Sequence, residues 1–348
     1  MNRREIMKLI TSSTVGAMAS SMAAPGVSNA SAPPPPPSPP YPGPGLRRRR
    51  VTTSDGVSLN VVETGKADGP AIVFVHGISQ AWQSWTKQLQ DVALRSHYRL
   101  IAFDLRGHGE SEGAQGAIDE DGFPYPLLPI NYYFTGDNVT TSQRWASDVE
   151  AVIDELCLDK PTLVGWSYGA VVALDYLVNK GGLGDAGRVL LDAGNPALTD
   201  TGDAAGSLLF TPEGGDAIGQ TVPPANNEQV ALGLTRFVQL CFRDDVRPPP
   251  PDEDVQFATS FNLRCAPSTR LAIFQRRFDY RPFLAGLPAK TRAKIHALTP
   301  LNDHILQPST EITLWNEAHI SNEQIPNEGH LYHYRNWPAF DAKLAAFI

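Results

Sequence analysis

The sequence predicts an α/β fold, a mostly parallel and doubly wound sheet with a helical block inserted late in the chain. Three observations carry that expectation. Short apolar runs at 71–75, 99–103, 161–164 and 188–192 alternate with stretches of helical character, as parallel strands joined by crossover helices do. After Arg188-Val189-Leu190-Leu191-Asp192 the alternation stops. Residues 196 to about 285 then show helical periodicity, as at Glu228 to Phe242 and Ser268 to Phe278, and no strand signal.

The first residues are not expected to join the fold. Arg3 and Arg4 open a basic stretch with Lys8 close behind, and a mildly apolar, charge-free run extends from Leu9 to Ala30. Ser28-Asn29-Ala30 places small residues where a signal peptidase reads. Asn2-Arg3-Arg4-Glu5-Ile6-Met7-Lys8 resembles the twin-arginine export consensus, with Asn where Ser or Thr is usual. Residues 1–30 are therefore expected to be an export signal, and the mature protein periplasmic or secreted from a bacterium. Residues 31–50 read as a linker, stiffened by the prolines that dominate 33–44. Arg47 to Arg50 close it as a solvated boundary, although four arginines in a row also suit contact with anionic lipid or polymer.

The folded part follows in order. Arg50 to Thr53 and Val57 to Val62 read as two strands around the turn Ser54-Asp55-Gly56. The core is expected over 51–195 and 286–348, with a helical cap over 196–285 between its two parts. The sheet resumes at Ala293 to Leu298, continues near Glu311 to Trp315, and a last helix covers Trp337 to Ile348. A second insertion, Glu112 to Val139, carries Phe123, Tyr125, Tyr132, Tyr133 and Phe134 among three prolines. Those aromatics suit either a substrate entrance or packing against the cap.

Composition narrows the function classes. A chain of 348 residues that is 42% hydrophobic can bury one large core with an insertion. Its net charge of −8 weighs against nucleic acid as a partner. Beyond the leader no stretch is long and apolar enough to span a bilayer. The three cysteines leave at least one thiol unpaired within the chain. Cys157 follows the amphipathic series Trp145, Val149, Ile153, Leu156 and is expected to be a small core residue. Cys241 and Cys265 share the cap, where an oxidising compartment would permit a bridge. No Cys/His spacing suggests a metal, and no cofactor is expected.

The chemistry is written in a few motifs. Gly165-Trp166-Ser167-Tyr168-Gly169 follows the apolar run Pro161 to Val164 and precedes a helix-like stretch from Ala170 to Leu177. A serine between strand and helix in such a turn is a nucleophile elbow. Side chains at Gly165 and Gly169 would collide with the neighbouring strand and helix. The helix N-terminus, with its free N–H groups and positive dipole end, would face the serine. Upstream, one strand ends in His76-Gly77 and another runs into Asp104-Leu105-Arg106-Gly107-His108-Gly109-Glu110-Ser111.

Strand-HG, strand-DxRGHGxS and strand-GxSxG in this order closely resemble the α/β-hydrolase superfamily, from about Val51 to the C-terminus. The resemblance implies a triad in the chain order Ser, Asp or Glu, His. Gly329-His330 followed by Trp337-Pro338 resembles the family's catalytic-histidine segment, so His330 is expected to be the base, with His333 as the alternative. His76 and His108 belong to the upstream motifs and read as structural, while His296 falls inside a strand. Asp303 stands at the family's acid position after strand seven, with Pro300 where Gly is usual, and Asp192 at the end of strand six is the competing acid. The oxyanion donors are expected to be the backbone N–H groups of Ile78 and Tyr168. The segment Cys265 to Arg270 looks like the non-heme haloperoxidase/esterase-like branch.

The leader and the resemblance together thus imply an exported serine hydrolase that cleaves a small ester-like substrate through an acyl-enzyme, without a cofactor. Carbon–carbon bond hydrolysis, acyl transfer or perhydrolysis at the same site stay open, as does a binding protein that kept the pocket and lost turnover. Haloalkane dehalogenases and epoxide hydrolases of the superfamily use Asp where this chain has Ser167.

Overall fold

The computed structural model describes residues 45–112, 138–199, 209–222, 225–265 and 267–348. The expected leader, most of the proline-rich linker and the aromatic insertion at 113–137 lie outside the described residues. Eight strands form the main sheet: β1 (Arg47–Thr52), β2 (Ser58–Gly65), β3 (Ala71–Val75), β4 (Arg99–Phe103), β5 (Thr162–Trp166), β6 (Arg188–Asp192), β9 (Ile295–Pro300) and β10 (Ser321–Ile325). Two short strands, β7 (Ala197–Leu198) and β8 (Phe278–Asp279), pair antiparallel outside it. The order across the main sheet is β1-β2-β4-β3-β5-β6-β9-β10. β1 and β2 are antiparallel to their neighbours, and the other six strands run parallel.

This register brings the chemistry to one edge. Val75 pairs with both Phe103 and Gly165, Trp166 pairs with Asp192, and Asp192 pairs with Leu298. The carboxyl ends of β3, β4, β5, β6 and β9 therefore lie side by side, which is where open α/β sheets place their ligands. Ile72, Val73, Phe74 and Val75 are wholly buried, as are Leu163 and Val164, so the central strands are covered on both faces. The helix Tyr168–Lys180 packs behind the elbow with Tyr168 to Leu177 all buried, and it ends at Gly181 in the left-handed conformation.

The loop after β4 is locked by its aspartate. The Asp104 carboxylate accepts from the backbone N–H of Trp82 at 2.7 Å and of Glu110 at 2.9 Å, and from the Asn60 amide at 2.9 Å. The Arg106 side chain is buried and pairs with Asp148 and Asp55. These bonds hold His76 and His108 inside, where the backbone N–H of Leu105 donates to His76 Nε2 at 3.0 Å.

The structure departs from the sequence expectations at four places. β1 begins at Arg47, so Arg47 to Arg50 belong to the sheet's edge strand rather than to a boundary before it. The expected strand at Glu311 to Trp315 is a helix, Pro308–Glu317, and the last strand is β10. Ile312, Thr313 and Trp315 favour strands, but parallel β9 and β10 need a crossover helix, and Pro308 starts one at its first turn. Within the cap, β7 and β8 form a short ribbon, so Phe278 ends in a strand and the helix before it stops at Gln275. Cys157 is exposed and not a core residue: its helix ends at Glu155, and Cys157 turns away with φ of 49°. Cys241 and Cys265 are buried and form no disulfide among the described residues.

The cap helices are Pro212–Gly219, Asn227–Phe242, Asp252–Asn262 and Pro267–Gln275. The second opens on a reciprocal capping box between Asn226 and Gln229. No helix among the described residues is long and apolar enough to cross a membrane.

Candidate active site

Ser167 sits between β5 and the Tyr168–Lys180 helix with φ 54° and ψ −121°, a conformation that a non-glycine residue adopts only under constraint. The constraint is packing. A Cβ at Gly169 would lie 2.1 Å from the carbonyl oxygen of Val75, and one at Gly165 would lie 2.5 Å from that of Gly169. Strand and helix close on each other at the elbow, and the serine is pushed outward. The Ser167 N–H donates to the Asp192 carbonyl at 2.9 Å, which ties the elbow to the end of β6.

His330 comes from the segment after β10. Its Nε2 lies 3.0 Å from Ser167 Oγ, and its Nδ1 lies 2.7 Å from Asp303 Oδ2. The other oxygen, Asp303 Oδ1, accepts from the backbone N–H groups of Ile305 at 2.6 Å and Leu306 at 2.9 Å. With that carboxylate accepting at Nδ1, the imidazole carries its proton there and presents Nε2 as an acceptor to the serine hydroxyl. The histidine backbone is pinned as well, since the Trp166 indole N–H donates to the His330 carbonyl at 2.7 Å. A side chain at Gly329 would strike the Arg243 carbonyl at 2.2 Å, so the chain before the histidine presses directly on the cap.

Asp192 and His333 find each other instead. His333 Nδ1 is 3.0 Å from Asp192 Oδ2, with both side chains wholly buried. Burial pushes the Asp192 carboxyl well above its usual range and the His333 imidazole well below its own, which favours the uncharged form of both. The His333 ring is packed against Trp85 at 4.2 Å and Trp166 at 4.8 Å between centroids. The structure thus joins Asp303 and His330 to Ser167 and sets Asp192 and His333 aside as a second buried pair.

Among the described residues, nothing accepts from the backbone N–H of Ile78 or Tyr168. Both residues line the cleft beside Ser167. Donors of this kind can hold an oxygen that gains charge during attack by the serine.

That cleft has an empty volume of about 510 Å³, mouth included. It is narrow and apolar, walled by Leu198, Phe210 and Phe237 and by Ile273, Phe274 and Phe278 from the end of the cap. No charged side chain is among its described lining residues; the polar ones are Ser167, Tyr168 and Asn195. Asn195, whose amide donates to the Ala197 carbonyl at 2.9 Å, was missed in the sequence. Its place just past β6 at the ligand-binding edge was the available signal.

Comparison with known proteins agrees with this fold. The sequence profile of the alpha/beta hydrolase family matches residues 72–342. An esterase from a Rhodococcus species superposes with a TM-score of 0.67 at 23% identity, covering 86% of this chain and 98% of its own. A bromoperoxidase from Bacillus anthracis superposes at 0.66 with 18% identity over 86% of this chain and 99% of its own. At these identities the likeness is one of fold. In sequence, epoxide hydrolase 2 of Siraitia grosvenorii is 31% identical over 121 residues, 35% of this chain and 31% of the relative. The 3-oxoadipate enol-lactonase 1 of Acinetobacter baylyi is 29% identical over 124 residues, 36% of this chain and 37% of the relative. The chain therefore spans about a third of the length of the curated relatives it matches. With the profile match covering most of the described core, the chain belongs to the alpha/beta hydrolase family.

Proposed function

We propose that the protein is an exported serine hydrolase that cleaves esters of small, neutral, apolar acids through an acyl-enzyme. One observation carries the reading: Asp303, His330 and Ser167 form a continuous hydrogen-bonded relay, with steps of 2.7 and 3.0 Å, at the mouth of an uncharged cleft. In this reading Ser167 Oγ attacks the ester carbonyl while His330 Nε2 takes its proton. Asp303 holds the imidazole in the productive tautomer and stabilises the imidazolium. The N–H groups of Ile78 and Tyr168 receive the oxyanion, His330 protonates the leaving alcohol, and water releases the acid by the same steps.

The cleft supports the substrate class. An oxoadipate enol-lactone carries a free carboxylate, and among the described residues lining the cleft there is no Arg or Lys to receive one. Epoxide opening in this superfamily uses an aspartate at the elbow, where this chain has Ser167. Export is supported by Arg3-Arg4 and the Ser28-Asn29-Ala30 site.

The test is a series of p-nitrophenyl esters of rising chain length, with lactones alongside, and labelling by a fluorophosphonate. Ser167→Ala should lose labelling and at least ~10³-fold in turnover while staying folded, because nucleophile and base act as a unit. Full activity in that variant would end the serine-hydrolase reading. A wild-type protein that labels but turns over no ester or lactone would move the reading to acyl transfer, perhydrolysis or carbon–carbon cleavage at the same serine.

A further inference from the structure

A second polar network lies just behind the cleft and has no part in the relay. Arg276, at the end of the last cap segment, and Asp175, on the helix that follows Ser167, form an ion pair whose side chains are both wholly buried. Arg276 Nη1 donates to Asp175 Oδ2 at 2.8 Å and to the Tyr168 hydroxyl at 3.0 Å. Its Nη2 donates to Asp175 Oδ1 and, at 2.7 Å, to the Tyr280 hydroxyl, which itself donates to Asp175 Oδ1 at 2.5 Å. The guanidinium carbon lies 5.0 Å from the centroid of the Phe278 ring.

Arg276 does not line the cleft, but what it touches does. Tyr168 lines it from the elbow and Phe278 from the cap, with Ile273 and Phe274 a turn upstream. Leu198, paired in register with Phe278, completes that wall. One rigid fork therefore fixes the nucleophile side and the cap side of the cleft to the same carboxylate. A planar guanidinium does this where an ammonium would not, because its donors are held in fixed directions. Stability alone explains the arrangement poorly, since a buried ion pair costs much desolvation and an apolar pair of similar size usually serves as well.

We infer that Arg276 is a positioning residue for acyl-chain selectivity, holding Tyr168 and Phe278 at the separation that keeps the cleft narrow. The inference rests on the reading of Ser167 as an ester-cleaving nucleophile. Without the fork, the 273–280 segment is free to lift from the helix, the cleft widens, and long acyl chains enter. The relay of Ser167, His330 and Asp303 is untouched, so short esters are still turned over.

The test uses the double variant Arg276→Met/Asp175→Leu, which removes both charges together and leaves neither stranded, with Arg276→Lys as the conservative partner. Two quantities are read: amide hydrogen exchange across 273–280, and the ratio of kcat/KM for p-nitrophenyl butyrate to that for the decanoate. In the double variant exchange should quicken at 273–280. The ratio should fall by ~10-fold or more through a lower KM for the decanoate, with kcat for butyrate within about threefold of wild type. Arg276→Lys should shift both in the same direction. A folded double variant with unchanged exchange, or with faster exchange and an unchanged ratio, overturns the inference. Should the double variant fail to fold, Arg276→Lys with both quantities at wild-type values overturns it equally. If wild-type protein reacts with neither esters nor a fluorophosphonate, the hydrolase reading and the selectivity claim fall together, and exchange alone decides whether the fork ties the cap.

Discussion

Asp303→Asn is the sharpest perturbation of the proposed relay. The asparagine carbonyl can keep the two N–H bonds from Ile305 and Leu306 that Asp303 Oδ1 now accepts. Its amide nitrogen then faces His330 Nδ1, which sits 2.7 Å from Asp303 Oδ2. Two donors cannot share that line, so the imidazole proton moves to Nε2 and the nitrogen facing Ser167 stops being a base. The lost charge matters as well. A carboxylate and an imidazolium with centres about 4 Å apart attract by about 4 kcal/mol at an effective dielectric of about 20, equivalent to about 10³ in rate. Turnover of a p-nitrophenyl ester near neutral pH should therefore drop by ~10²–10⁴-fold, with circular dichroism unchanged. Asp192→Asn should do far less, because the Asp192 side chain bonds to His333 rather than His330. The opposite ranking, a crippled Asp192→Asn beside a near-normal Asp303→Asn, would refute the relay and place the acid after β6.

Three other outcomes follow from the same geometry. Gly169→Ala puts a methyl 2.1 Å from the Val75 carbonyl, where only backbone can give way, so it should destabilise by more than ~3 kcal/mol in thermal melts and take activity with it; a wild-type melting temperature would contradict the packing at the elbow. Glu311 is wholly buried, and neither carboxyl oxygen has a hydrogen-bond partner among the described residues. Burial, and then the nearby Asp303 carboxylate, raise its carboxyl well above the usual range, so the folded protein holds that proton after the unfolded chain has released it. Its contribution is therefore intact below the unfolded carboxylate range and lost as pH rises through the raised folded value. Glu311→Gln should melt at increasingly higher temperature than wild type as pH rises above the carboxylate range, and a pH-independent difference would show that the group stays ionised. Mature protein from its native host should begin near Ser31, and replacing Arg3 and Arg4 with lysine should block export; normal export of that variant would exclude the twin-arginine route.

What could be read from the chain, and what could not, divides by the range of the interactions involved. The elbow was legible because its demands are local: Gly165, Ser167 and Gly169 must coexist in five residues between a strand and a helix, and no side chain fits at either end. Asp303 and His330 were legible because each sits at a fixed step past a recognisable strand or before the last helix, although they lie 136 and 163 residues along the chain from Ser167. Glu311 to Trp315 misled because its β-branched and aromatic residues state a preference that the crossover between two parallel strands overrides. Cys157 misled because a period of 3.6 was carried two residues beyond the helix's end. The Arg276 fork could not be read at all. Asp175 lies 101 residues upstream of it, on a helix whose sequence shows only an isolated acid among apolar neighbours. In the proposed reading, reaction chemistry is set by short motifs at the sheet edge, which are spelled out locally in the chain. The inferred selectivity would be set by where the cap rests on that edge, through single long-range pairs whose members look unremarked in the sequence. Two chains with the same three motifs can therefore share a mechanism and differ in substrate through one buried arginine, so comparing Arg276 variants on short and long esters tests something that comparing motifs cannot.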